Sequence, residues 1–231
     1  MQLKITCLLA IGLFNVQLLI GQTETQTIQL KKGEVFDILL LNQNPETSDD
    51  LKDYFKTVFP VAHEASYQSI PGFRVAKHSQ GNLRPDLLTF GKWSSLSQRE
   101  NFLRDIDKEI PDFHERRRKI WSYFGIQYFE IQEDLSLEID RDRYLVATAY
   151  WLESTDASTT ALADWKNKVA IANGQVLLEL SDGKSPFAYR YNPDIFMITS
   201  WESEAAFKAF QSKVQDLGVD HLQHLNEFIL E

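Results

Sequence analysis

The stretch PDLLTFGKWSSLSQRENF at 85–102 returns, reworded, as PDIFMITSWESEAAFKAF at 193–210. Pro85 and Pro193 stand 108 positions apart, and so do Trp93 and Trp201. Each stretch reads as a strand ending in Trp, a short Ser-bearing turn and a helix. Self-similarity at a fixed distance is a strong constraint, because each copy must be one supersecondary unit that shares its core with the other.

The surroundings of the two stretches follow one order. In the first copy GEVFDILLLNQ (33–43) is an apolar, extended run. Pro45 to Asp50 is rich in helix-capping residues and starts a helix. Leu51, Tyr54, Phe55, Val58 and Ala62 give that helix one apolar face at three- and four-residue spacing. GFRVAKHS (72–79) and PDLLTFGKW (85–93) form a hairpin across Gln80-Gly81-Asn82. Ser94–Ser97 cap a helix carrying Phe102, Leu103 and Ile106, and YFGIQYFEI (123–131) is the fourth strand. In the second copy RYLVATAYWL (143–152) leads to a helix capped at Asp156 or Ser158, which runs through Leu162, Trp165 and Val169. QVLLELS (175–181), PDIFMITSW (193–201), a helix through Phe207 and Phe210, and NEFIL (226–230) complete it.

Both copies are β-α-β-β-α-β, the ferredoxin-like pattern. Such a sheet has a helix-covered face and a bare one, and a second copy can cover the bare face. The predicted fold class is therefore α+β, with two tandem ferredoxin-like units at 33–140 and 143–231 packed sheet to sheet as an α/β barrel. The boundary falls in the charged run Glu138-Ile139-Asp140-Arg141-Asp142.

Lys4 is followed by ITCLLAIGLFNVQLLI and then by Gly21-Gln22 and polar residues. A basic start, a short apolar core and a small residue before a polar run describe a signal peptide over 1–21. The apolar run is short, and Asn15 and Gln17 interrupt it, so it predicts no stable membrane span after cleavage. The expected destination is outside the cytoplasm, periplasmic or secreted. Cys7, the single cysteine, lies in this segment, so the mature chain would lack disulfides, Cys nucleophiles and Cys-ligated metals. A net charge of −9 and a pI near 5.1 argue against nucleic acid as a partner. The basic run Arg116–Lys119 reads as a helix end, where cations suit the dipole.

On these residues the chain resembles the dimeric α/β-barrel superfamily, which includes antibiotic-biosynthesis-type monooxygenases and EthD-like and NIPSNAP-like proteins. The strand-Trp-helix stretches carry the resemblance, together with HEASYQSIPGFRV (63–75), where a His on the first helix precedes Pro-Gly. The resemblance spans 33–231 and implies a tandem member that builds its barrel within one chain, as a monomer with pseudo-twofold symmetry or a dimer of it. Haem-degrading members use a strand-one Asn, a second-helix aromatic and a second-helix His. Asn42, Phe102 and His114 fall at broadly matching places, with Phe where those members have Trp, while copy two offers Tyr150, Phe210 and His221. These departures leave no cofactor in the expected reading.

Strand alternation selects the side chains that would face a ligand between the sheets. If Leu145, Ala147 and Ala149 lie under helices, Thr148 and Tyr150 point into the barrel, and the 108-residue offset aligns Asn42 with Tyr150, so that Asn42 faces inward too. On the third strands the inward set is then Thr89, Gly91 and Trp93, with Met197, Thr199 and Trp201. GFRVAKHS contributes Arg74 and His78, or else Lys77. Trp93 and Trp201 suit stacking on a ligand, although a large aromatic at a strand–helix join is more often a core plug. His63 sits at the EthD-like position and has a side chain that titrates near neutrality, so it is the candidate acid–base group beside Asn42 and Tyr150. Its alternative role is at the helix end. His221 and His224 share a face at i, i+3 but have no evident third ligand, so no metal is expected. Catalytic motifs such as G-x-S-x-G, H-E-x-x-H, Walker A and G-x-G-x-x-G are missing from the sequence.

Three readings follow. The leading one is an exported barrel that binds a small apolar or aromatic molecule between its sheets. The second is a cofactor-independent monooxygenase-like enzyme for an aromatic or polyketide-like substrate. The third is a non-catalytic, structural or partner-binding protein with a filled interior.

Overall fold

The computed structural model describes residues 25–153, 163, 165–186, 192–214 and 222–231. The proposed signal segment with Cys7, the cap at Asp156 or Ser158, Leu162 and His221 lie outside the described residues.

Unit one contains β2 (Val35–Gln43), α1 (Ser48–Glu64), β3 (Gln68–Gln80), β4 (Leu87–Trp93), α2 (Leu96–Glu109), α3 (Phe113–Ile120) and β5 (Trp121–Glu130). Unit two contains β7 (Tyr144–Leu152), α4 (165–171), β8 (Gln175–Ser181), β9 (Ile195–Trp201), α5 (Glu204–Val214) and β10 (Leu222–Leu230). Two further strands, β1 (Thr25–Leu30) and β6 (Leu135–Asp140), pair as an antiparallel ribbon.

Local chemistry explains the elements. Tyr54, Val58 and Ala62 form the buried stripe of α1, and the side chain of Ser95 caps α2 by accepting from the Gln98 N–H. The Arg116–Lys119 run does end a helix, α3, but it is only partly solvated. Arg116 pairs with Asp53 and Lys119 with Asp50, whereas Arg117 is buried with its guanidinium 3.7 Å above the Phe124 ring.

The eight main strands form one antiparallel sheet in the order β5-β2-β4-β3-β10-β7-β9-β8. Each unit supplies four strands in the same internal order, and the units join edge to edge where β3 pairs with β10. At the far edges Tyr128 and Lys184 exchange backbone hydrogen bonds, N–H to O in both directions at 2.8 Å, which closes the barrel.

The barrel interior is packed. Phe36, Ile38 and Leu40 meet Leu88 and Phe90 from unit one, and Ala147, Phe196 and Phe228 from unit two. The β1–β6 ribbon adds Ile28, Leu30, Leu137 and Ile139 to the same core, with Glu138 and Asp140 turned outward. Each fully buried Phe or Leu contributes about 1.5–3 kcal/mol by leaving water. A ligand between the sheets, the expected arrangement, is thus replaced by a core of the chain's own side chains.

The expected side-chain directions are corrected on most strands. Leu145, Ala147 and Ala149 face the barrel core, while Val146 packs with Trp201 and Phe207 on the helix side. Thr148 and Tyr150 share the parity of Val146, so they lie under helices rather than inside. On β4 and β9 the inward residues are Leu88, Phe90, Phe196 and Ile198, and Thr89, Gly91, Trp93, Met197, Thr199 and Trp201 take the opposite face. The cause is the face chosen for Leu145, Ala147 and Ala149, which lie in the barrel core and not under helices. The offset between the copies also changes. Trp93 and Trp201 are 108 apart, but their ladder partners Val35 and Tyr144 are 109 apart. Asn42 therefore corresponds to Trp151, and Tyr150 corresponds to Leu41. A one-residue slip exchanges the two faces of a strand.

Candidate functional site

A cavity of about 550 Å³ lies in unit one between the outer face of the sheet and the three helices. From α1 it is walled by Leu51, Tyr54, Phe55, Val58 and Phe59, and from α2 and α3 by Phe102, Leu103 and Phe113. The sheet supplies Leu39, Thr89, Trp93, Trp121 and Phe124. The rings brace one another: Tyr54 meets Trp121 edge-on at 5.1 Å, and Phe55 stacks on Phe59 at 4.6 Å. Such contacts hold aromatic walls in place and leave a preformed apolar space.

One end of the cavity is polar. Asp37 on β2 is 3% exposed, and both carboxylate oxygens are occupied. Oδ1 accepts from Arg99 Nε at 2.8 Å, and Oδ2 accepts from Trp93 Nε1 at 2.9 Å. The Arg99 guanidinium also lies 3.7 Å above the Tyr128 ring. Tyr67 stands over Gly91, the ladder partner of Asp37. A Cβ at Gly91 would lie 2.3 Å from Tyr67 Cε2 and 2.6 Å from its hydroxyl oxygen, so only glycine leaves the ring room. Burial, and secondarily the charge of Asp37 and the neighbouring Tyr54, push the Tyr67 phenol far above the usual tyrosine range and keep it a neutral donor.

The expected site residues are scattered. Thr89 and Trp93 line the cavity. His63 is exposed, in the last turn of α1, and borders a neighbouring polar depression with Glu34 and Lys92 that shares Tyr67, Ser69 and Trp93 with the cavity. Asn42 lies at the opposite end of β2 and donates from Nδ2 to Arg84 O and Asp86 Oδ2. Tyr150 is in unit two, edge-on to Trp165, and burial followed by the charge of Glu227 pushes its phenol upward. The structure therefore does not bring His63, Asn42 and Tyr150 together. Arg74 is exposed, and the His78 ring nitrogen Nε2 is 2.7 Å from Pro85 O. Lys77 pairs with Glu204 on the helix side.

Of the remaining candidates, Thr148 is buried in unit two, and Trp201 is fully buried against Phe207 and Phe210 as a core plug. Phe102 is in the cavity wall, but His114 belongs to α3, where its Nε2 is 3.5 Å from Asp107 and burial lowers its pKa. Asn42, Phe102 and His114 thus form no common site. No group of three or more His, Cys, Asp or Glu placed to hold a metal occurs among the described residues. Among them, too, no helix is long and apolar enough to cross a membrane.

The sequence reasoning missed Asp37, Tyr67 and Arg99. Asp37 carried a signal, since it is the one charged residue inside the apolar run VFDILLL. Arg99 and Tyr67 carried none, because their roles depend on which sheet face the helices cover.

No family model and no curated protein matches the chain. Solved structures do. An anthrone oxidase-like protein aligns over 89% of this chain and 94% of its own, at 15% identity and a TM-score of 0.50. A mutant chlorite dismutase from Candidatus Nitrospira defluvii aligns over 87% and 93%, at 9% identity and a TM-score of 0.50. Identities this low speak for the fold alone. With the strand order and the barrel closure, they show that this chain has the dimeric α/β-barrel fold, made by two ferredoxin-like units in tandem.

Proposed function

We propose that the protein is an exported α/β barrel that binds a small, flat, largely apolar aromatic molecule, and that the site is the unit-one cavity. The observation that carries this reading is the wall of braced aromatic rings around about 550 Å³, with polar groups gathered at one end. Apolar lining with a few placed polar groups is the usual make-up of a small-molecule site. Export rests on the apolar segment before Gly21, and N-terminal sequencing of the mature protein tests it. Binding is tested by thermal shift and tryptophan fluorescence with tricyclic aromatics, because Trp93 and Trp121 stand in the wall. A raised Tm with quenching is expected; neither response across such a series overturns the reading.

A second reading, oxidation of an electron-rich aromatic by dioxygen, is favoured by the Tyr67 hydroxyl beside the cavity and by the likeness to an anthrone oxidase-like protein. Tyr67 would orient the substrate and hold a proton at its phenol oxygen. Oxygen uptake by the purified protein with anthrone as probe tests it, and uptake at the buffer rate overturns it. The trio His63, Asn42 and Tyr150 no longer supports catalysis, because its members lie apart.

A further inference from the structure

The polar end of the cavity sets N–H and O–H donors around one carboxylate. Asp37 accepts from Arg99 Nε on one oxygen and from Trp93 Nε1 on the other. Arg99 has five N–H groups, of which the Nε–H is spent on Asp37. Among the described residues its Nη groups have no hydrogen-bond acceptor, although the side chain is only 4% exposed and lines the cavity. The Tyr67 hydroxyl likewise has no acceptor among the described residues and lies beside the same carboxylate, over Gly91. Donors that face a cavity and have no protein acceptor are met by whatever molecule occupies it, so a ligand that brings an acceptor there gains over one that does not.

We infer that Arg99 and Tyr67 together read an acceptor oxygen on the ligand, and that the ligand class is a planar aromatic carrying a carbonyl at one edge. This inference rests on the proposed use of the cavity and adds its chemical selectivity. A neutral carbonyl fits better than an anion, because Asp37 and Arg99 already balance each other's charge and a buried net charge is costly. An aromatic amine is disfavoured, since its N–H would face donors. A plain hydrocarbon enters but leaves both donors unpaired. A site built to hydrogen-bond a ligand discriminates by leaving its own groups unpaired when that ligand group is missing.

The test uses three probes on one skeleton, fluorene, 9-fluorenone and 2-aminofluorene, with affinities from tryptophan quenching and calorimetry. The ketone is expected to bind about tenfold more tightly than the hydrocarbon, the ratio for one hydrogen bond, and the amine no better than the hydrocarbon. Tyr67→Phe keeps the ring, and Arg99→Lys keeps a charge for Asp37 while removing the fork of Nη donors. Either is expected to cut the ketone's advantage at least severalfold without changing fluorene affinity, and the two probes serve as internal controls for folding. Equal binding of ketone and hydrocarbon, or an advantage that survives both substitutions, overturns this inference and leaves the cavity reading standing. Binding of none of the three overturns both.

Discussion

The two units are written on one plan, yet their helix-facing sides differ: unit one encloses a cavity, and the described residues of unit two bring bulkier side chains to the same positions. At the strand–helix join of unit one, Trp93 donates to the charged pair formed by Asp37 and Arg99. At the same join in unit two, Trp201 donates to Thr199 of its own strand at 3.0 Å. Asp37 corresponds to Val146, Gly91 to Thr199 and Leu41 to Tyr150. In unit two Val146 and Trp165 pack with Phe207 and Phe210, and Tyr150 meets Trp165 edge-on. In unit one Gly91 admits Tyr67, and Phe113 of α3 forms part of the cavity wall. Duplication gives a barrel, and divergence on the helix-facing side of one half gives it a site.

The largest effect is expected from Arg99→Met, which leaves Asp37 buried and unpaired. The loss should be about 3–5 kcal/mol in urea unfolding, and adding Asp37→Asn should restore much of it. Next comes a pair of truncations that sets the two units against each other. Phe210→Ala, in the buried cluster of unit two, should cost about 3 kcal/mol, whereas Phe55→Ala in the cavity wall should cost half of that or less and weaken fluorene binding instead. Equal costs would mean that the two halves are packed alike. Gly91→Ala should reduce binding of fluorene and 9-fluorenone together by displacing the Tyr67 ring, measured by the same quenching titration.

The smallest expected effect concerns Glu227 in unit two. Burial raises its pKa, against the hydrogen bonds from Ser79 and Gln211. Its folded-state pKa lies above the unfolded value, so its contribution to stability is full below that unfolded value and is lost as pH rises through the folded one. Glu227→Gln keeps an acceptor for Ser79 and Gln211, so stability should fall less between acid and neutral pH, as read from urea midpoints. An unchanged pH profile would show that the carboxylate is well solvated.

Much of the fold was legible in residues. The repeated strand-Trp-helix stretches, the stripe of Tyr54, Val58 and Ala62, and the Ser cap before α2 all marked elements that the structure contains. The β1–β6 ribbon was not legible, because its pairing joins residues more than a hundred positions apart. Nor was the site. In VATAYW the barrel-facing Ala147 and Ala149 are buried, and so are the helix-facing Val146 and Thr148, so no polar alternation separates the faces. The offset also changes by one between the copies, so Asn42, on the barrel-facing side of β2 with Leu40, is matched by Trp151 and not by Tyr150.

The sequence alone determined two ferredoxin-like units and their union in one barrel, because hydrophobic period and turn chemistry are local and the repeat makes them agree twice. Only the tertiary structure decided which face of each strand meets a helix, and that unit one encloses a cavity there. Those outcomes depend on how whole side-chain volumes fill the gap between sheet and helices. Asp37, Tyr67 and Arg99 come from three separate elements, and they become one site only when that gap is left partly empty.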